Sequence, residues 1–275
     1  MANRSIVFLS DFGYRNEWVG VCHAVIDKIA PDTRVIDLSH GVPPLDVRGG
    51  ALVLADSLPL IRHDAVVLAV VDPSVGRDRD IAVRCHDGRL LVGPDNGLLS
   101  AAWRVAEGVA EAVSITSSSI LLEPVSPSFH ARDVLAPAAA HLAAGASLDS
   151  LGEPVDPDQL EIVRIPEPEV EPGKIACEVL DLNRFGNVQL NARSSHLALA
   201  GLDQAGNLSV QAHAGSAVAS RVSTYADLAA GEWGMLIDPR GWLSVVRGNP
   251  ANAAEGLGVS SGDLVWLRAA RGEAG

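Results

Sequence analysis

The sequence predicts an α/β N-terminal domain with a mostly parallel sheet, followed by a smaller all-β, barrel-like C-terminal domain. Three observations carry this. Up to about residue 145, short β-branched runs alternate with stretches of helical periodicity. Between Leu151 and Gly173 the chain turns to proline and acidic residues, and beyond it only short alternating runs remain, punctuated by glycine.

Taken in order, SIVFLS (Ser5 to Ser10) reads as the first strand, and Trp18, Cys22, Val25, Ile26 and Ile29 as the inward stripe of the helix after it. RVIDLS (Arg34 to Ser39) and AVVLAVVD (Ala65 to Asp72) are further strands, separated by an alanine- and leucine-rich helix near Val47 to Ile61. These strands are apolar on both faces, as buried parallel strands are. Ile81 to Cys85 and Leu90 to Val92 add strands, and helices follow near Leu98 to Ala106 and Arg132 to Ala144. The segment LGEPVDPDQLEIVRIPEPEVEPG excludes a long helix and suits an exposed connector. Domains are therefore expected over 1–160 and 174–270, with a linker over 161–173. In the second domain, Ile175 to Leu182, Val188 to Leu190, Leu208 to Ala212, Met235 to Ile237, Leu243 to Val246 and Leu264 to Leu267 fit a small barrel or sandwich.

Composition narrows the function. Lysine and arginine number 21 against 34 aspartates and glutamates, a net charge of −13, which argues against a nucleic-acid partner. No apolar run of about 18 residues occurs, so no membrane span or signal peptide is expected. The three cysteines, Cys22, Cys85 and Cys177, form no CxxC pair and fit a reducing, cytoplasmic compartment. None of the eight histidines forms HxH, HxxxH or HExxH, so no dedicated zinc site is expected. GxGxxG and GxxxxGKS/T are also absent, which removes the phosphate loops.

Five segments place polar residues beside glycine or proline at the ends of predicted elements, where ligands of open α/β sheets collect. They are SDFG (Ser10 to Gly13), DLSHGVPPLDV (Asp37 to Val47), VVDPSVGRDR (Val70 to Arg79), VGPDNGLL (Val92 to Leu99) and SFHARD (Ser128 to Asp133). A single aspartate ending a strand is more often a turn or helix cap than a catalyst.

Together and in this order, the segments closely resemble the S-adenosylmethionine hydroxide adenosyltransferase family, which is related to enzymes that fluorinate and chlorinate the same substrate. RFGNVQLN (Arg184 to Asn191) and DPRGWLSVV (Asp238 to Val246) extend the resemblance through the second domain. It implies hydrolysis of S-adenosyl-L-methionine to adenosine and L-methionine, by attack of water at C5′, with no metal or other cofactor. It also implies a homotrimer with active sites at the subunit interfaces. The water-activating trio of the family falls on Asp72, Arg79 and His130. An arginine beside a carboxylate keeps it ionised, and histidine handles a proton near neutrality. Asp11 matches the aspartate that grips the ribose hydroxyls, Asn187 the adenine-reading asparagine, with Phe185 offering a stacking face, and Arg240 an arginine on the methionine carboxylate.

Several positions depart from the family pattern. Asn183 stands where an aspartate usually faces the methionine ammonium, Asn16 where halogenating relatives carry aspartate, and Pro239 where a serine is usual. Against the halogenating relatives, Asp72 replaces a tyrosine, and Val75 and Ala131 replace hydroxyl side chains. Three other readings stay open on the residues: a halogenase, a metal-dependent hydrolase built on Asp11, Asp72 and His130, and a non-catalytic adenosine-binding module.

Overall fold

The computed structural model describes residues 4–270 and divides into two compact units, Met1–Arg164 and Ile165–Gly275. The first unit holds a seven-stranded sheet. Its strands are β1 (Ile6–Ser10), β2 (Val35–Ser39), β3 (Val66–Val70), β4 (Asp80–Cys85), β5 (Leu90–Pro94), β6 (Val109–Ile115) and β7 (Gly152–Val155), in the order β2-β1-β3-β5-β4-β6-β7. β2, β1, β3 and β5 pair in parallel, while β4 runs against both β5 and β6, and β7 against β6. Five strands thus point one way and only β4 and β7 the other, the mostly parallel sheet expected.

The central strands explain their burial by alternation. Phe8, Leu68 and Val92 face one apolar cluster with α1 (Trp18–Ile29) and α4 (Ala136–Ala143), while Leu9, Val67 and Leu91 face another with α2 (Val47–Ser57) and α3 (Ser100–Val105). Every residue of β1, β3 and β5 is buried, so neither face can tolerate a polar run. α1 enters this core through Val19, Cys22 and Ile26.

Two strands of the first unit, β6 and β7, escape the sequence reading, as do β8 (Glu169–Glu171) and β12 (Ser216–Arg221) of the second. GVAEAVSI mixes alanine and glutamate in a way that suits a helix equally well, and β7 is short and contains a proline. Both lie at the far side of the sheet, where exposed residues interrupt the apolar pattern. The helix expected over Arg132 to Ala144 begins as a π-helical turn, Ala131–Leu135, before α4.

The residues expected to form a connector are held at both ends. Glu161 N–H donates to Asp95 Oδ1 at 2.9 Å and Val163 N–H to Ser100 Oγ at 3.0 Å, which ties them to the first unit. β8 (Glu169–Glu171) then pairs with the start of β9 (Lys174–Leu182) in the second unit.

The second unit continues with β10 (Val188–Leu190), α5 (Ser194–Leu199), β11 (Asn207–Ala212), β12 (Ser216–Arg221), β13 (Trp233–Ile237), β14 (Leu243–Arg247), α6 (Ala253–Leu257) and β15 (Leu264–Ala269). The order β10-β14-β13-β12-β11-β15-β9 closes through a β9–β10 pairing into a seven-stranded barrel, with β8 added outside. Closure leaves few unpaired edges and buries a core of Ile175, Val179, Val188, Leu208, Val210 and Val245. Among the described residues no helix is long and apolar enough to cross a membrane, and the three cysteines are buried free thiols.

Candidate active site

Parallel strands deliver their carboxyl ends to one edge of a sheet, and the polar segments of the first unit follow from this. SDFG continues β1, HG follows β2, DPSVG follows β3 and GPDNG ends β5. β4 runs antiparallel to β5 with Asp80 opposite Pro94, so the start of β4 joins the same edge.

Asp72 caps its own turn, its Oδ1 accepting the Ser74 N–H at 2.8 Å. Burial raises its pKa. The Ser74 N–H and the nearby His130 work against that rise, while Asp78 and Asp11 add to it. The turn closes at Gly76, whose φ is +81° and where a Cβ would stand 2.7 Å from the Pro127 carbonyl oxygen. Only glycine fits there, and the close approach brings the His130 segment over the Asp72 turn.

His130 Nδ1 lies 2.6 Å from Asp80 Oδ2, and the Asp80 side chain is only 8% exposed. Burial pushes the Asp80 carboxyl up to about 6, with His130 pulling against it and Asp72 and Asp78 reinforcing it. Asp11, Asp72, Asp78, Asp80 and His130 thus form one electrostatic cluster. Asp80 was not singled out in the sequence. Its position next to Arg79 was the one signal in the sequence.

The expected pairing of Arg79 with Asp72 is not what forms. The carboxylate beside Arg79 is Asp95 of GPDNG: Nε and Nη2 both donate to its Oδ2, at 3.1 and 2.7 Å, and Nη2 also reaches the Gln159 carbonyl at 3.2 Å. The reason lies in the sheet, because the Asp95 N–H also donates to the Arg79 carbonyl as β5 and β4 meet. A cavity of about 350 Å³ opens here, lined by Asp78, Arg79, Asp95, Asn96 and Glu161. The remaining motif residues brace it. Asn96 Nδ2 donates to the Val71 carbonyl just before Asp72, and the Arg132 guanidinium is bidentate on the buried Asp133.

Asp11 Oδ2 accepts the Leu45 N–H at 2.8 Å, which leaves Oδ1 for other partners and holds the loop after β2. Asn16 is exposed in the segment before α1 and takes no part in the cluster above.

In the second unit, Asn183 Oδ1 accepts the N–H groups of Phe185 and Asn187, which folds RFGN into a turn. Gly186 sits in that turn with φ +77° against Asn252. Asn187 is buried and its Nδ2 donates to the Tyr225 hydroxyl at 3.2 Å, whereas Phe185 is 70% exposed under the Arg184 guanidinium. Asp238 gathers the second segment: Oδ1 accepts the Arg240 and Trp242 N–H groups, and Oδ2 the Gln189 side-chain amide. Arg240 Nη2 lies 3.9 Å from Asp181 Oδ2. A cavity of about 210 Å³ brings Asn183, Asn187, Tyr225 and Arg240 together. Tyr225, Gln189 and Asp181 were not anticipated. Asn183, Asn187 and Arg240 line one pocket, while Phe185 stands at the surface.

The family model for the SAM hydroxide adenosyltransferase N-terminal domain matches residues 6–152, and that for the C-terminal domain matches residues 177–266. A Salinispora tropica protein named (R)-S-adenosyl-L-methionine hydrolase is 45% identical over 96% of this chain and 97% of its own length. A Nocardia brasiliensis protein named fluorinase is 27% identical over 96% of each chain. The crystal structure of an uncharacterized conserved protein from Thermotoga maritima superposes with a TM-score of 0.87 at 32% identity, over 96% of this chain and 99% of that one. The two matches fall one in each unit and together span most of the chain, which belongs to the SAM hydroxide adenosyltransferase family.

Proposed function

We infer that this chain hydrolyses S-adenosyl-L-methionine, with water attacking C5′ to give adenosine and L-methionine. The observation that carries the reading is the 45% identity, over nearly the whole of both chains, to a protein named for that hydrolysis. The chemistry of the first unit supports it. A sulfonium substrate is cationic, and Asp11, Asp72, Asp78 and Asp80 form with His130 a cluster whose carboxylates suit a positive centre.

The sulfonium leaves as a neutral thioether, so the protein has to place a water behind C5′, take its proton and exclude solvent. Asp72 and His130 are the groups for that proton. With Nδ1 engaged by Asp80, His130 Nε2 becomes the atom that receives or relays it. Arg79, fixed on Asp95, lends positive charge to a developing hydroxide. Asp11 Oδ1 is assigned to the ribose hydroxyls, and Asn187 with Arg240 to the adenine and methionine ends. No metal or other cofactor enters this scheme, and a homotrimer in the cytoplasm completes it.

The relative's name specifies the (R) configuration at sulfur, so the test supplies both epimers. Purified protein is incubated with each, with and without chelator, and the products are separated by chromatography. Adenosine and methionine from at least one epimer, undiminished by chelator, are expected. Absence of both products, or activity restored to chelated protein only by a divalent ion, would overturn the reading. Light scattering tests the trimer.

A further inference from the structure

We propose that His23, Asp37 and His40 form a binding site for a divalent transition metal such as zinc. The ligand atoms come from two stretches of the chain: His23 from α1, and Asp37 and His40 from the middle of β2 and the residue after it. One donor atom from each lies within 4.8 Å of the other two. His23 Nε2 is 2.8 Å from Asp37 Oδ1 and His40 Nε2 is 3.0 Å from the same oxygen. Around a tetrahedral zinc with bonds of about 2.0–2.2 Å, ligand atoms stand about 3.4 Å apart, so an ion is admitted by side-chain shifts of about half an ångström.

The second observation is His40 itself. Its side chain is fully buried, yet Nε2 makes no hydrogen bond, lying close to Asp37 Oδ1 but not aligned for one. A buried ring nitrogen that faces a carboxylate oxygen without an aligned hydrogen bond is costly unless something binds between them. Its other nitrogen is already engaged, with Nδ1 2.7 Å from Ser10 Oγ. That outer contact orients the ring, as partners of metal-bound histidines do. Phe8 and Tyr14 pack edge-on against the same imidazole, at 4.7 and 5.2 Å between centroids, and fix its plane.

The donor set chooses the ion. Two imidazoles and one carboxylate suit zinc, cobalt or nickel and not magnesium or calcium, which prefer oxygen ligands. His23 and Asp37 are about one-third exposed, which leaves an open side for water. The absence of HxH or HExxH spacing does not bear on this set, because His23 belongs to another element. The ion is not a participant in the hydrolysis proposed above. It fastens α1 to β2 and the residue after it, through the contacts His23 and His40 already make with Asp37.

The test uses full-length, tag-free protein stripped by chelator and titrated with zinc in competition with a chromophoric chelator. One ion per chain with a dissociation constant of about 10 µM or tighter is expected, and at least a tenfold loss in His23→Gln and in Asp37→Asn. His63→Gln, remote in sequence and 71% exposed, should bind as wild type does. Cobalt titration should give the visible bands of a low-coordinate site in wild type and not in His23→Gln. Absence of zinc binding below about millimolar, or equal affinity in His23→Gln, would overturn the proposal. Should Asp37→Asn fail to fold, the surface substitution His23→Gln still decides it.

Discussion

His130 Nδ1 meets Asp80 Oδ2 at 2.6 Å, and this contact fixes which imidazole nitrogen is available for chemistry. The buried carboxylate holds the proton of Nδ1 and makes Nε2 the basic atom, as in other histidine–carboxylate pairs. Asp80→Asn removes that hold while leaving the ring in place. The expected result is a fall in kcat of about tenfold or more with little change in KM, and a shifted pH–rate profile. Partial recovery in Asp80→Glu would separate positioning from simple misfolding. An unchanged kcat and profile in Asp80→Asn would contradict the assignment.

The same carboxylate gives stability a pH dependence of defined sign. Burial pushes Asp80 up to about 6, well above the ordinary aspartate value of about 3.9. The folded chain therefore holds this proton more tightly than the unfolded chain. The stabilising share is complete below about pH 4 and is lost as pH rises through about 6. Across that window wild type should lose stability relative to Asp80→Asn, in denaturant titrations at several pH values. A difference that stays flat, or runs the other way, would show that His130 fully offsets the burial.

Asp72 and Arg79 should separate by their stability effects. Asp72→Asn keeps an oxygen for the Ser74 N–H and so should fold normally, bind adenosine and lose about a hundredfold or more in turnover. Arg79→Ala should lose turnover and also about 2 kcal/mol of stability, because it leaves the buried Asp95 without its guanidinium. Calorimetric melting and steady-state kinetics on both variants provide the check. Wild-type turnover in both would remove these residues from the mechanism.

How much of this site was legible follows from where each contact originates. Asp72, Arg79 and His130 could be named because each belongs to a local motif that survives in sequence. Their partners could not. Arg79 meets Asp95, and Asp80 meets His130, through the β4–β5 register and a loop 50 residues away. The helix–strand alternation of the first half was plain, since β1, β3 and β5 are buried on both faces and carry continuous apolar runs. β6 was hidden because its exposed residues break that run. In the second unit the RFGN turn was visible, but Tyr225 joins Asn187 from 38 positions on, with no sequence signal to link them.

Asn183 offers a test of the methionine end. Its Oδ1 already accepts the Phe185 and Asn187 N–H groups, and an aspartate would keep both bonds while adding a charge. If the substrate ammonium approaches this pocket, Asn183→Asp should tighten S-adenosylmethionine binding by about three- to tenfold, as a charge-assisted bond replaces a neutral one. Isothermal titration with adenosine as the control isolates the effect, since adenosine lacks the ammonium. Equal or weaker binding of S-adenosylmethionine would place its ammonium elsewhere.

The identity of the nucleophile is the sharpest test, because a protein named fluorinase is 27% identical over nearly the whole chain. An incoming halide is an anion and must shed tightly held water before it can attack. Asp72, with Asp11 and Asp78 close enough to raise its pKa, places negative charge where such an ion would arrive. Val75 and the buried Ala131 offer no side-chain hydroxyl to replace the lost hydration. Water arrives neutral, and the carboxylate and imidazole that repel or ignore a halide can accept its proton. Turnover in ¹⁸O-labelled water should therefore place the label on the 5′ oxygen of adenosine, and added chloride or fluoride should yield no 5′-halo-nucleoside. Mass spectrometry of the nucleoside product reads both outcomes, and a halo-nucleoside formed as fast as adenosine would reverse the assignment.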